Sequence, residues 1–389
     1  MYPHQAERLG GALERAGVEA LVATSPANVF YVTGFRSALP AGDPDRPVLA
    51  VFSPRGTALV LPSAEAPAAA VDGAAADHVR CYGSLFLDEP ARLTDLARRA
   101  VEWVRQTAAG PEDALSAALE ALGVTGRVGV DEGGLAPARW REVARRLGGR
   151  AVEAAGAFAR ARQVKGPWEI ECLERALNVL EEAANEVIQA LKPGLTEREA
   201  LAALRDAVTR RGGQPRGAAV LFGERSALPA AAPADHALRP GDIVRLDAAC
   251  EHRGHHARLA RTAVMGEPDD AQQRAHDAVQ GAVEAALEAI APGVAARVPC
   301  ERAVAAMREA GVAGYRAEEI GHGIGLEPHE PPVLAAGSAE PLETAMVLHV
   351  DVPYYRPGWG GARIRETVLV TARSHRTMNR SVRGLVLLD

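Results

Sequence analysis

The sequence predicts an α/β domain followed by an α+β domain made of two similar halves. Three observations lead there. The first third alternates amphipathic helical patterns with short apolar runs. Farther on, the order long helix, Pro-Gly, short helix occurs twice, with "QALKPG" (189–194) and "EAIAPG" (288–293) in corresponding places. Each copy is then followed by strands that carry the polar residues, from Ala218 to Val264 and from Met346 to Thr371.

Taken in order, "HQAERLGGALERAG" has the apolar spacing of an amphipathic helix with Gly17 at its end. "EALVATS" and "VLAVFSPRGTALVLP" read as strands, the latter turning at Pro54-Arg55-Gly56. "LTDLARRAVEWVRQTAAG" and "APARWREVARRLGG" are helices around the strand "RVGVD", which completes a buried sheet. A boundary near 150–166 separates expected domains 1–155 and 156–389. The second opens with a helix that starts at Pro167, a residue suited to the first helical position. Its stripe is Ile170, Leu173, Leu177, Leu180, Val187 and Leu191. In the next helix Thr196 and Glu199 form a capping box.

The 389 residues suffice for two cores, and 48% apolar with 24% charged residues suits a soluble globular chain. A formal charge of −6 argues against nucleic acid or an anionic membrane as the main partner. No run approaches a membrane span and no signal segment is evident at the N-terminus. Cys81, Cys172, Cys250 and Cys300 are scattered without a CxxC, so they read as reduced thiols in a cytoplasmic protein.

Four patches carry candidate chemistry. They are Asp247 with Arg258, "GHGIGLEPHEPP" with His322 and His329, "LHVDVPYY" with His349 and Asp351, and "GARIRETV" with Arg363 and Arg365. Strand periodicity puts His349 and Asp351 on one face, and Arg363 and Arg365 on one face. From about residue 5 to 385 the chain resembles the creatinase/aminopeptidase P/prolidase family, the M24 peptidases with the pita-bread fold. The resemblance rests on "NVFYVTGF", "RQVKGPWEIECLERA", "GLTERE", "GHGIGLEPHEPP" and Arg261-Thr262. It implies a creatinase-like N-terminal domain, a pita-bread C-terminal domain with internal pseudo-two-fold symmetry, and a homodimer. Phe35 and Arg36 lie in the segment that reaches toward the partner's site in creatinase-like dimers.

Family metallopeptidases hold two divalent ions with two Asp, one His and two Glu. Position by position, the resemblance places these on Asp247, Arg258, His322, Asp351 and Arg365, and a substrate-facing His on Ala230. Two carboxylates would then share the site with two guanidiniums that cannot lose their protons. A dication within ~4 Å of a guanidinium meets repulsion of several kcal/mol at a moderate effective dielectric. The expectation is therefore a metal-free site without cofactor; if an ion binds at all, Asp247, His322 and Asp351 would hold it. Arg258 and Arg365 either close salt bridges with Asp247 and Asp351, or keep donors free for a substrate anion.

Expected roles follow. His322, His329, Asp351 and Asp247 are the catalytic candidates, with a histidine as general base. Arg258, Arg365 and Arg363 are the candidates for anchoring a substrate carboxylate. Glu330 stands beside them as a substrate contact or a loop cap, and His255 and His256 read as inert turn residues. The function expected is a metal-independent, creatinase-like hydrolysis of, or elimination across, a C–N bond in a small carboxylate-bearing amide, amidine or modified amino acid. The alternatives are a metal-dependent Xaa-Pro aminopeptidase or dipeptidase, and a silent pita-bread binding protein.

Overall fold

A computed structural model describes residues 2–37, 46–89, 92–105 and 107–389. By its contacts the chain divides into two compact units, Met1–Arg162 and Gln163–Asp389.

The first unit is built on a seven-stranded mixed sheet. Leu49–Ser53 and Gly56–Pro62 form the expected hairpin, and Ala20–Ala23 lies between Leu49–Ser53 and Val128–Val130. The helix Pro3–Ala16 ends at Gly17, whose φ of 62° only glycine adopts without strain. Pro111–Ala121 is a helix that the sequence reading passed over, because its Ala-rich pattern gives a weak stripe. So is Pro26–Thr33, where Asn28 donates to Asp131 Oδ2 (2.6 Å), which also accepts from Ser25 N–H (3.0 Å) and Oγ–H (2.8 Å). The "NVFYVTGF" segment is thus a structural knot. Phe35 is buried, while Arg36 lies over the Phe30 ring.

The second unit shows the duplication directly. Helices Pro167–Ala190 and Glu197–Arg210 precede the hairpin Ile243–His252/His255–Met265; helices Asp270–Glu288 and Arg297–Glu309 precede the hairpin Val347–Arg356/Gly360–Val370. The Thr196–Glu199 capping box is formed. The two hairpins join side by side in a ten-stranded sheet, with Ala260 facing Arg365 at the seam.

Alternation decides which face does what. Leu246, Ala248, Cys250 and Leu259 pack beneath the first long helix on Leu173, Leu177, Leu180 and Val187. Val350, Val352 and Ile364 do the same with Val279, Val283 and Leu287. With a period of two, the intervening residues must emerge on the opposite face. Among the described residues no helix is long and apolar enough to cross a membrane.

Candidate active site

Register places the candidates together. Asp247 faces Ala260, Ala249 faces Arg258, Asp351 faces Arg365, Pro353 faces Arg363, and His349 faces both Thr367 and His322. Directly paired residues share a face, as do residues two apart along a strand. Asp247, Arg258, His322, His349, Asp351, Arg363 and Arg365 therefore rise from one side of the sheet, around a floor of Ala249 and Ala260.

Asp351 is fully taken, whereas Asp247 sits near guanidiniums with its buried Oδ1 lacking a hydrogen bond. Arg363 grips Asp351 with Nε (2.7 Å) and Nη2, and Arg365 Nε reaches the same carboxylate at 2.9 Å. Asp247 lies 3.5 Å from Arg363 Nη1 and 3.6 Å from Arg365 Nη1. A further guanidinium, which the sequence reading did not single out, completes the cluster. Arg245 Nε is 3.2 Å from Asp247, its Nη2 donates to the Leu228 carbonyl (2.9 Å), and it lies over the Tyr355 ring. Its position two before Asp247 was the available signal. Burial alone would raise the Asp351 pKa, but Arg365 and Arg363 outweigh it and hold the group far below the carboxylate range. Arg363 answers in kind: burial opposes its charge, and Asp351 raises its pKa nonetheless.

Arg258 differs. Among the described residues it forms no ion pair; its Nη1 lies 3.4 Å from His322 Nε2. Burial, then Arg365, lowers its pKa. His322 Nδ1 faces the Gly323 carbonyl at 2.9 Å, and a carbonyl only accepts, so Nδ1 carries the hydrogen and Nε2 the lone pair. Burial brings the His322 pKa down to about 4, so the ring is neutral at pH 7. His349 is fully buried with both ring nitrogens unpartnered, 5.4 Å from the His322 ring; burial, then Arg365, keeps it neutral. It packs and does not orient Asp351.

His329 stacks on His322 at 4.0 Å between ring centres, and its Nε2–H donates to Glu319 Oε2 at 3.2 Å. Unlike His322 it is open, with about half its side chain (48%) exposed. Glu330, expected to touch substrate, points inward instead. It is buried, pairs with Lys165 Nζ at 2.8 Å and accepts from the Glu327 N–H, the loop-cap role. The loop is so tight that a Cβ on Gly325 would lie 2.6 Å from Glu330 Oε2. His255 is likewise buried, edge-on to Trp168, rather than an exposed turn residue. Ala230 is exposed and lines another cavity with Arg198, Leu201 and Arg205, so it does not widen this pocket.

The model of the creatinase/prolidase N-terminal domain matches residues 5–164, and that of metallopeptidase family M24 matches residues 171–372. The chain belongs to the M24 family. Among its M24 relatives, the probable dipeptidase PepE of Mycobacterium tuberculosis is 30% identical over all of this chain and 97% of the relative. The Xaa-Pro dipeptidase of Pyrococcus furiosus is 30% identical over 58% of this chain and 65% of that protein. The solved dipeptidase PepE of Mycobacterium ulcerans superposes with a TM-score of 0.79 at 26% identity, covering 99% of this chain and 97% of that one. An Xaa-Pro dipeptidase from Bacillus anthracis reaches 0.83 at 23% identity, with 99% of both chains covered. The fold is therefore that of the M24 pita-bread proteins, with the N-terminal creatinase domain in place.

These findings correct the expected function. The metal-independent creatinase-like reading gave two charge reversals more weight than likeness along the whole chain, whereas the matched family is one of metallopeptidases and the relatives bear dipeptidase names. The two-metal arrangement implied by that family does not fit these residues. Two of its five ligand positions are arginines, and the oxygens of Asp247 and Asp351 already accept from or face Arg245, Arg363 and Arg365. One other donor set exists among the described residues: ligand atoms of Glu319, His322 and His329 lie within 4.8 Å of one another. The lone pair that His322 would give an ion there faces Arg258.

Proposed function

We propose that the C-terminal unit takes peptides of dipeptide size and acts on them as a hydrolase of the Xaa-Pro dipeptidase kind. The 30% identity along the full length of a relative named as a probable dipeptidase is the observation that supports this most directly. The open end of the site, His329 with Glu319, is where a substrate would meet a proton carrier. Glu319 accepts from Nε2–H, which leaves Nδ1 as the ring nitrogen that can take a proton, the relation of a base to the carboxylate that orients it. Asp351, which Arg365 and Arg363 keep ionised, holds those guanidiniums in place rather than moving protons, and Asp247 lies among Arg245, Arg363 and Arg365. The four free, buried cysteines support a reducing, cytoplasmic setting, and the family resemblance supports a homodimer.

The test is release of free amino acids from a dipeptide panel rich in Xaa-Pro members, using stripped protein and protein supplied with manganese. Hydrolysis is expected, with kcat falling on the order of a hundredfold in His329→Gln, the usual scale of general-base loss. No release from any dipeptide in either condition would overturn the proposal. A second reading is binding without cleavage, favoured by the capture of Asp247 and Asp351 in ion pairs; bound but uncleaved dipeptides would support it.

A further inference from the structure

The arginine cluster is not electrically balanced. Among the described residues, Arg245, Arg258, Arg363 and Arg365 cluster about Asp247 and Asp351, with Glu319 farther out beside His322 and His329, so the four guanidiniums outnumber the acids within the cluster by two. His322 and His349 add no charge at pH 7, and neither offers a negative partner. Three of the arginines are engaged with the two acids. Arg258 is not: its single polar contact among the described residues is the lone pair of a neutral imidazole, 3.4 Å from one of its five N–H donors. It stands on the strand facing Ala249, next to the Ala260 floor, where the neighbouring side chains on its face are small.

A half-buried guanidinium with open donors, beside other guanidiniums, carries an unmet electrostatic demand. A planar carboxylate meets it best, because the fork accepts bidentate pairing and the anion offsets repulsion from Arg365 and Arg363. A divalent cation would make the imbalance worse.

We propose that Arg258 is the receptor for a ligand carboxylate, and that the uncompensated charge makes the pocket select net-anionic ligands, such as short peptides with a blocked amino group or an acidic side chain, over zwitterionic or cationic ones. Only the size of the ligand rests on the dipeptidase reading. The site then works by exchange: the ligand carboxylate displaces the weak contact to His322 and closes the charge balance that Asp247 and Asp351 leave open.

The experiment is calorimetric binding of three probes to the full-length protein: N-acetyl-glycyl-proline (anion), glycyl-proline (zwitterion) and glycyl-prolinamide (cation without a carboxylate). The anion should bind at least tenfold more tightly than the zwitterion, and the amide not at all. Arg258→Gln should weaken the anion at least tenfold, and Arg258→Lys, which keeps charge but loses the fork, less. Far-ultraviolet circular dichroism and the melting midpoint verify that each variant is folded. Equal affinity for the three probes, or wild-type affinity in folded Arg258→Gln, would overturn the inference. The two readings fail separately: cleavage without charge preference would leave the dipeptidase proposal standing, whereas Arg258-dependent anion binding without cleavage would leave only this one.

Discussion

At the scale of single residues, the second unit spends its charges in two different ways. Lys165 and Glu330 form a pair with both side chains almost wholly out of solvent, 2.8 Å apart. Such a pair adds little net stability, yet removing one member strands the other. Glu330→Gln should destabilise the protein by about 3 kcal/mol in urea unfolding, whereas Lys165→Met combined with Glu330→Gln should cost clearly less than the two single changes together. Asp351 has the same logic with a sharper outcome. It compensates Arg363 and Arg365 at once, so Asp351→Asn leaves two adjacent guanidiniums without a shared anion. The expected result is a folded but less stable protein that binds carboxylate probes more tightly, because the pocket has gained positive charge. Weaker binding with the fold intact would mean that disorder of the released guanidiniums outweighs the added positive charge.

At the scale of elements, the glycines around His322 show why that strand has its composition. Gly321 has a φ of 154°, and a Cβ there would lie 2.1 Å from the His349 carbonyl on the neighbouring strand. A Cβ on Gly323 would lie 2.4 Å from the Pro331 carbonyl. Gly321→Ala must therefore push apart the pairing that sets His322 beside His349, and both the unfolding midpoint and affinity for the anionic probe should fall. Thr196→Ala, far from the site, should cost only about 1 kcal/mol for the lost cap. Much of this level was legible in advance. The alternation in "IVRLDAAC" and "ARIRETV" foretold a buried face and a polar one, and the repeated Pro-Gly exits foretold the two halves. Side-chain direction within the loops was not legible. Glu330 follows His329 directly, yet turns inward to a lysine 165 residues earlier in the chain, a partner no local pattern reveals. Arg245 escaped because an arginine within an apolar run reads as a strand edge until the Tyr355 ring and Asp247 are seen around it.

At the scale of the whole molecule, buried histidines set the response to acid. His255 and His322 are brought down to about 4, and His276 and His349 are also lowered, each chiefly by burial. The unfolded chain takes these protons near pH 6.5, before the folded one does, so stability is full above that value and is lost as pH falls toward 4. Glu366 acts in the opposite sense: burial raises it to about 7, which favours the folded state as pH drops from 7 toward 4.5 and offsets one histidine. Urea unfolding between pH 7 and pH 5 should show declining stability, with a slope of about 1.4 kcal/mol per pH unit for each net proton. His255→Phe, which keeps an aromatic ring against Trp168, should flatten that slope by about one proton. A rise in stability over the same interval would contradict the burial of these rings.

The lateral joint between the hairpins rests on Ala260 opposite Arg365. Each half of the duplicated unit brings one acid and two arginines to that joint, Asp247 with Arg245 and Arg258 and Asp351 with Arg363 and Arg365, so neither half balances its own charge. Sequence drift in one repeat is thereby answerable to the other. Cousins of this chain that carry an acid at position 258 should also carry one at 365, and forms with an acid at only one of the two should be rare.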